Sequence, residues 1–295
     1  MKQNIIYHNA DLDGFCSAAI VKMHLIESGV EPKDINMIGW DYGHPSPLEG
    51  LEDRVFLVDI SLEQSDMKLL ACDPDTVWFD HHKSAIELSK KGKWDCISGE
   101  RRIGDSAALI TWQALFPNEK VPDIVYWVDR YDVWKKEDGL DWGVVLSIQL
   151  GMKLSLKDPS DPHAYDVWDS YINHMPSHIV YNGDILYQYV QDQNVIKAKL
   201  AFDLMFEGYN FCAINTKGNS EIAKSAVRSD HDGIMLFAYD GALDNWTVSL
   251  YGTGIEERGP VDLSVIAMRY GGGGHAGACG FKIDDIGRLL AGKEN

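Results

Sequence analysis

Basic residues are scarce in this chain. Lys and Arg number 27 against 45 Asp and Glu, a formal net charge of −18 over 295 residues. Divided at Gly183, both parts are net acidic, so neither offers the basic face with which proteins displace counterions from long duplex DNA. Cysteine is sparse as well: Cys16, Cys72, Cys96, Cys212 and Cys279 are odd in number, scattered and free of any C-x-x-C pair. That argues against a zinc knuckle and a disulfide framework, and for a reducing compartment. No run reaches the roughly 18 apolar residues of a membrane span, and Met1-Lys2-Gln3-Asn4 leads into a short apolar run rather than a signal-peptide core. The expectation is a cytoplasmic protein with no membrane partner. The G-x-S-x-G elbow, the Walker loop and the H-E-x-x-H signature are all missing, and there is no internal repeat or low-complexity tract.

What is there is ordinary in bulk and unusual in arrangement. Hydrophobic residues make up 45% and charged residues 24%, the balance of a globular protein long enough for two domains. Four short apolar runs, Asn4–Tyr7, Asn36–Trp40, Arg54–Val58 and Thr76–Phe79, read as strands. Helical patterns follow three of them: Ala18 to Ile26 is mostly apolar and stops at Gly29, Leu62–Leu70 follows the third run, and Gly104–Leu115 comes after the fourth. This alternation predicts an α/β fold with a doubly wound parallel sheet. Further on, Val121–Trp134 reads as a helix carrying Asp129 and Asp132, and 138–176 is mixed. Gly183–Ala201 is a long helical pattern suited to linking two domains. Tyr209–Asn215, Ile234–Tyr239 and Trp246–Tyr251 are strand-like, and the helix-like Leu263–Tyr270 runs into Gly271-Gly272-Gly273-Gly274-His275.

The organising stretch is Val77-Trp78-Phe79-Asp80-His81-His82-Lys83. A parallel sheet would bring His8, Asp11, Asp13, Asp59, Asp80 and His81 to one carboxyl edge, where open α/β sheets keep their ligands. Each acidic residue alone would serve as a helix N-cap or turn former. Gathered at successive strand ends, the carboxylates repel one another, and cations relieve that repulsion. Mixed carboxylate and imidazole ligation suits Mn²⁺, Mg²⁺ or Zn²⁺. Excess carboxylate oxygen favours the first two, and the histidines favour Mn²⁺.

Asp80-His81-His82, with His8-Asn9-Ala10-Asp11-Leu12-Asp13-Gly14, Val58-Asp59-Ile60-Ser61 and the late Gly271 to His275, resembles the DHH phosphoesterase superfamily. The glycine-rich ending resembles the branch with an associated C-terminal DHHA1 domain, which holds nano-RNases, nucleotide phosphatases, cyclic-dinucleotide phosphodiesterases and single-strand exonucleases. Asp129-Arg130-Tyr131-Asp132-Val133-Trp134 is similar to the nano-RNase-like members. The resemblance implies a catalytic domain over 1–176, a linker helix over 183–201 and a smaller α/β substrate-binding domain over 204–295. It implies two Mn²⁺ ions, with Mg²⁺ as an alternative. His8, Asp11 and Asp59 would hold one; Asp13, Asp59, His81 and an acidic residue of the fourth motif would hold the other. Asp132 is preferred to Asp129 there for its Tyr-Asp-x-Trp context.

Asp59 would bridge the ions, Asp80 would fix an imidazole tautomer and His82 would face the phosphate. The implied reaction is two-metal hydroxide attack on a phosphodiester. Its substrate would be a short oligonucleotide or small nucleotide held in a cleft, with the Gly271–His275 loop on the far wall. A pyrophosphatase or polyphosphatase on the same site, and a silent nucleotide sensor, are the alternatives; a homodimer is compatible with either. Gly272, Gly274 and Gly277 fit G-x-G-x-x-G, but the run follows a helix and too little chain remains for a βαβ unit. The expectation is instead a backbone nest in which Gly272, Gly273 and Gly274 approach an anion with His275 as a further donor. Arg228 and Arg269 are candidate assistants. Tyr251 stands after Ser249-Leu250, where many relatives carry an arginine. Cys16 reads as core, and Trp134 and Trp142 as candidates for stacking on a base.

Overall fold

Alternate residues on the first strands are apolar in both directions, which demands cover on both faces of the sheet they form. The computed structural model describes residues 2–51, 54–136, 139–253 and 261–291, and these divide into two units, 1–187 and 188–295. In the first, β1 (Gln3–His8), β2 (Ile35–Trp40), β3 (Arg54–Val58) and β4 (Val77–Phe79) form a sheet of order β2-β1-β3-β4. All its pairings are parallel. Ile5, Tyr7, Phe56, Val58 and Phe79 face α1 (Leu12–Glu27), contributing to a cluster with Ala18, Val21 and Leu25. Ile6, Val55, Leu57 and Trp78 face the other way, onto Met67 and Leu70 of α2 (Gln64–Leu70) and Ala85 of α3 (Lys83–Gly92). The sheet is therefore doubly wound, and the strand order reverses between β1 and β3.

Helix α1 is buried nearly all round because a further helical layer covers its outer side. Cys16, Ala19, Ile20 and Met23 pack with residues of α4 (Ala107–Leu115), α5 (Asp123–Asp132), α6 (Trp142–Ser155) and α7 (Pro162–Asn173). The sequence over 138–176 reads as mixed, yet α6 and α7 are regular helices there. Asp141 and Asp161 cap their N-termini, and the Pro-rich stretch between them supplies α7 with its first-turn proline. Helix α8 (His178–Ala198) begins five residues before the expected 183, and the division between the units falls within it.

The second unit is a six-stranded mixed sheet. Its strands are β5 (Phe202–Phe206), β6 (Tyr209–Asn215), β7 (Gly233–Asp240), β8 (Asn245–Tyr251), β9 (Gly273–His275) and β10 (Ala278–Ile283), in the order β5-β6-β7-β8-β10-β9. One face buries Phe206, Phe211, Phe237, Val248 and Phe281 with Ile266 of α9 (Ser264–Arg269) and Leu289 of α10 (Gly287–Leu290). The other packs Ile214, Ile234 and Leu236 on Ile222. Strands β5 and β10 are not evident in the sequence, because β5 runs on from the helical pattern of α8 and β10 is short and interrupted by Gly280.

The glycine-rich segment differs from the loop expected of it. Gly273–His275 is an edge strand paired antiparallel with β10, and the N–H groups of Gly271 and Gly272 donate to Met268 and Ala267 carbonyls at the end of α9. Those two donors cap the helix and are not turned to an anion. A Cβ at Gly272 would lie 2.0 Å from the Gly280 carbonyl oxygen, and one at Gly274 2.7 Å from that of Ala278. Close backbone packing is thus sufficient reason for both glycines.

Candidate metal centre

Strand β1 ends at His8 and β3 hands over to Asp59, on either side of the point where the strand order reverses. Asp59 takes φ 58°, a left-handed conformation unusual for a residue with a side chain, and its N–H donates to the Phe79 carbonyl at 2.9 Å. Its carboxylate lies between two imidazoles: Oδ2 is 3.4 Å from His8 Nδ1 and Oδ1 is 3.3 Å from His81 Nε2. Asp59 Oδ1 is also 3.9 Å from His82 Nδ1.

The next ligand candidates come from the start of α1. Asp11 is its N-cap, with Oδ1 accepting the N–H groups of Asp13 and Gly14 at 3.0 and 3.1 Å, while Oδ2 lies 3.3 Å from His8 Nδ1. Gly14 permits this turn, since a Cβ there would stand 2.1 Å from the His8 carbonyl oxygen. Asp13 is buried and accepts the N–H groups of Ala107 and Ala108 at 2.8 Å each. Ser106 N–H donates to Asp129 at 2.9 Å, and Leu109 N–H to the Ser106 hydroxyl. These contacts satisfy the first N–H groups of α4 and tie it to α1 and α5.

That arrangement separates Asp129 from Asp132 on α5. Asp129 Oδ1 is held by Ser106 N–H and both its oxygens by the Lys135 ammonium, at 3.0 and 2.9 Å. Asp132 Oδ2 instead stands 3.3 Å from His81 Nε2, whose distance to Asp13 Oδ2 is 3.7 Å. Three overlapping sets could each hold a metal: Asp59, His81 and His82; His8, Asp11 and Asp59; and Asp13, His81 and Asp132. Asp59 and His81 link them.

Asp80 has a different position. Its Oδ1 accepts the backbone N–H of His81 at 2.7 Å and of His82 at 3.1 Å, and lies 2.8 Å from His82 Nδ1. A carboxylate so placed fixes the turn through His81 and His82 and the orientation of the His82 ring.

The charges are strongly coupled. Burial disfavours an imidazolium at His8, yet the Asp11 and Asp59 carboxylates override it and raise the ring to about 11. His81 is likewise raised to about 10 against burial, by Asp59, Asp132 and Asp13. Burial would raise Asp59, but His8, His81 and His82 hold it below the usual carboxylate range. Asp132 is pushed up to about 7 by burial, with Asp11 and Asp59 adding to it. Burial, Asp59 and Asp132 also drive Asp13 well up.

Divalent cations fit this donor set. Both oxygens of Asp59, Oδ2 of Asp132 and Nδ1 of His8 are buried with no hydrogen-bond partner. The 3.3–3.4 Å approaches to the imidazoles lack the geometry of hydrogen bonds. A buried carboxylate left in that condition is costly, and coordination relieves it.

No family model matches the chain. An uncharacterized protein of Acanthamoeba polyphaga mimivirus is 24% identical over 324 aligned residues, spanning 97% of this chain and 71% of that protein. Among solved structures, the pGpG-specific phosphodiesterase PggH of Vibrio cholerae matches with a TM-score of 0.50 and 12% identity, over 96% of this chain and 93% of that one. An exopolyphosphatase-related protein of Bacteroides fragilis matches with a TM-score of 0.51 and 14% identity, over 96% and 87%. The chain shares their fold. No helix among the described residues is long and apolar enough to cross a membrane.

Two residues at the centre go unnoticed in the sequence. Asp41, immediately after β2, places Oδ1 3.6 Å from His8 Nε2; the strand-end rule that selects Asp59 and Asp80 would have found it. Tyr42 packs edge-on to the His8 ring, at 6.1 Å between centroids. The arginines considered for substrate contact are engaged in the second unit: Arg228 pairs with Asp203 and Asp230, and Arg269 with Glu207. Tyr251 donates its hydroxyl to the Gly218 carbonyl, and Cys16 is in the core.

Proposed function

We propose that this chain is a manganese-dependent phosphodiesterase of the DHH kind, hydrolysing short oligonucleotides or small nucleotides. The observation that carries the reading is Asp59: a buried carboxylate, strained at its backbone, with neither oxygen hydrogen-bonded and one facing each of His8 and His81. His8, Asp11 and Asp59 would hold one divalent cation; Asp13, Asp59, His81 and Asp132 would hold the second. When bound, such a pair supplies Lewis acidity toward phosphoryl oxygens and acidifies a water.

The chain's own groups supply position and protons. The left-handed turn at Asp59 and its N–H bond to Phe79 hold the backbone from which its carboxylate projects between His8 and His81. Asp13 is fixed by two N–H donors from α4, and each of its oxygens keeps a lone pair for a cation. Asp80 engages Nδ1 of His82 and raises the ring's proton affinity against the effect of burial. A protonated His82 can then use Nε2 to donate to a phosphoryl oxygen or a departing alkoxide.

The test is incubation with Mn²⁺ or Mg²⁺ and a panel of di- to decanucleotides, linear and cyclic dinucleotides, and pyrophosphate. Mononucleotide release, greater with Mn²⁺, is the expected result. Release of orthophosphate alone would replace this reading with a pyrophosphatase or polyphosphatase, and no turnover with either ion would leave a nucleotide-binding protein.

A further inference from the structure

Next to Asp132 lies an aromatic cluster that the proposed chemistry does not use. Tyr131 and Trp142 have ring planes 4° apart with centroids at 6.5 Å, and Trp142 stacks on Trp134 at 5.7 Å and 29°. Two ammonium groups cap it: Lys136 stands 5.3 Å from the Trp134 centroid and 5.5 Å from that of Trp142, and Lys153 stands 5.5 Å from Tyr131.

We infer that Tyr131, Trp134 and Trp142, with Lys136 and Lys153, form a subsite for a nucleobase and its adjoining phosphate, beside the centre built on Asp59. The inference rests on the phosphodiesterase reading and names where its substrate's base would sit.

Three observations carry it. Trp134 is 44% exposed, although an indole is among the most favourable side chains to bury. It also adopts φ 54°, a conformation in which a bulky residue is strained and which persists only where its surroundings hold it. Among the described residues with side chains at positive φ, Asp59 is at the centre itself and Trp134 is two residues beyond Asp132. Second, the cluster is continuous with the centre: Tyr131 precedes Asp132 on α5 and Trp134 follows it by two residues. Third, its charge opposes that of the rest. In a chain of net charge −18, two lysines over aromatic rings at the edge of an acidic centre suit a ligand combining a flat ring with an anion. A base stacking here keeps the π contact while Lys136 moves from the ring face to the phosphate, exchanging a cation–π contact for a stronger charge pair.

The test is equilibrium binding of a 5′-mononucleotide and of ribose 5-phosphate in the presence of Mn²⁺, for wild type, Trp134→Ala and Trp134→Phe. Stacking on an aromatic side chain amounts to about a 5- to 150-fold difference in Kd per base. Trp134→Ala is expected to weaken the mononucleotide by a factor in that range, with Phe restoring most of it, while ribose 5-phosphate shifts by less than about twofold. Equal weakening of both ligands, or of neither, overturns the subsite. Phosphodiester turnover by the wild type is scored separately. Base-dependent binding without turnover keeps the subsite and discards the proposed activity; turnover with base-independent binding does the reverse.

Discussion

Asp80 Oδ1 lies 2.8 Å from His82 Nδ1 while also accepting the backbone N–H groups of His81 and His82. One oxygen thus holds the backbone of both residues and the imidazole of His82, and its charge raises the proton affinity of that ring. Asp80→Asn keeps an acceptor at this position and removes the charge. His82 should then lose its proton at lower pH, because the raised value depends on the carboxylate. If protonated His82 acts as the acid, the alkaline limb of the kcat profile should move to lower pH, with kcat down about 10- to 100-fold. A profile that keeps its alkaline limb would remove His82 from that role.

Asp59→Asn tests stability and function together. His8, His81 and His82 hold the Asp59 carboxylate ionised in the metal-free protein, so its loss should lower the unfolding temperature at neutral pH. Divalent cations should no longer stabilise the variant, whereas wild type should gain about 2.7 kcal/mol at a hundredfold excess of Mn²⁺ over its Kd. Turnover should fall by about three orders of magnitude or more. Thermal unfolding with and without Mn²⁺ reads both effects, and an undiminished Mn²⁺ shift in Asp59→Asn would argue against the bridging role.

Asp129 and Asp132 should fail in different ways. Asp132→Asn removes a carboxylate that faces His81, so activity and Mn²⁺ affinity should drop with the fold retained. Asp129→Asn breaks the buried pair with Lys135 and weakens the α4 cap, costing about 1–3 kcal/mol of stability. Denaturation curves and activity measured on both variants distinguish these outcomes. Greater loss of Mn²⁺ affinity in Asp129→Asn would reverse the assignment.

Substrate length tests the reading from the other end. A net charge of −18 disfavours holding a long polyanion, so di- to pentanucleotides should be hydrolysed much faster than 20-mers. His275→Ala should impair short nucleotides strongly, in kcat as well as KM, and bis-p-nitrophenyl phosphate far less. Equal rates on 5-mers and 20-mers would favour a processive exonuclease. Equal loss on both substrate types would put His275 in the chemistry or in folding.

Much of the centre could be read from local sequence because its residues lie where apolar strands stop. His8, Asp59, Asp80 and His81 each follow a run whose burial on both faces is written in its side chains, and parallel pairing then brings those ends to one edge. The doubly wound sheet follows from the same alternation. In the second unit this reasoning stops short. The Gly271–His275 segment has a turn-like composition, but Gly272 and Gly274 are explained by their approach to the β10 backbone, a partner the glycines themselves do not specify.

What the sequence by itself determined is therefore the set of chemical groups at the strand ends and the sheet that gathers them. The tertiary structure decided which members of that set point inward and which are committed elsewhere. Asp129 and Asp132 are three residues apart and share one side of α5, so helical periodicity cannot choose between them. The choice comes from Lys135 and the N-terminus of α4, which occupy Asp129 and leave Asp132 to His81. The aromatic cluster depends on tertiary structure in the same way: Trp142 and Lys153 come from a helix whose packing, not its local pattern, brings them beside Tyr131 and Trp134.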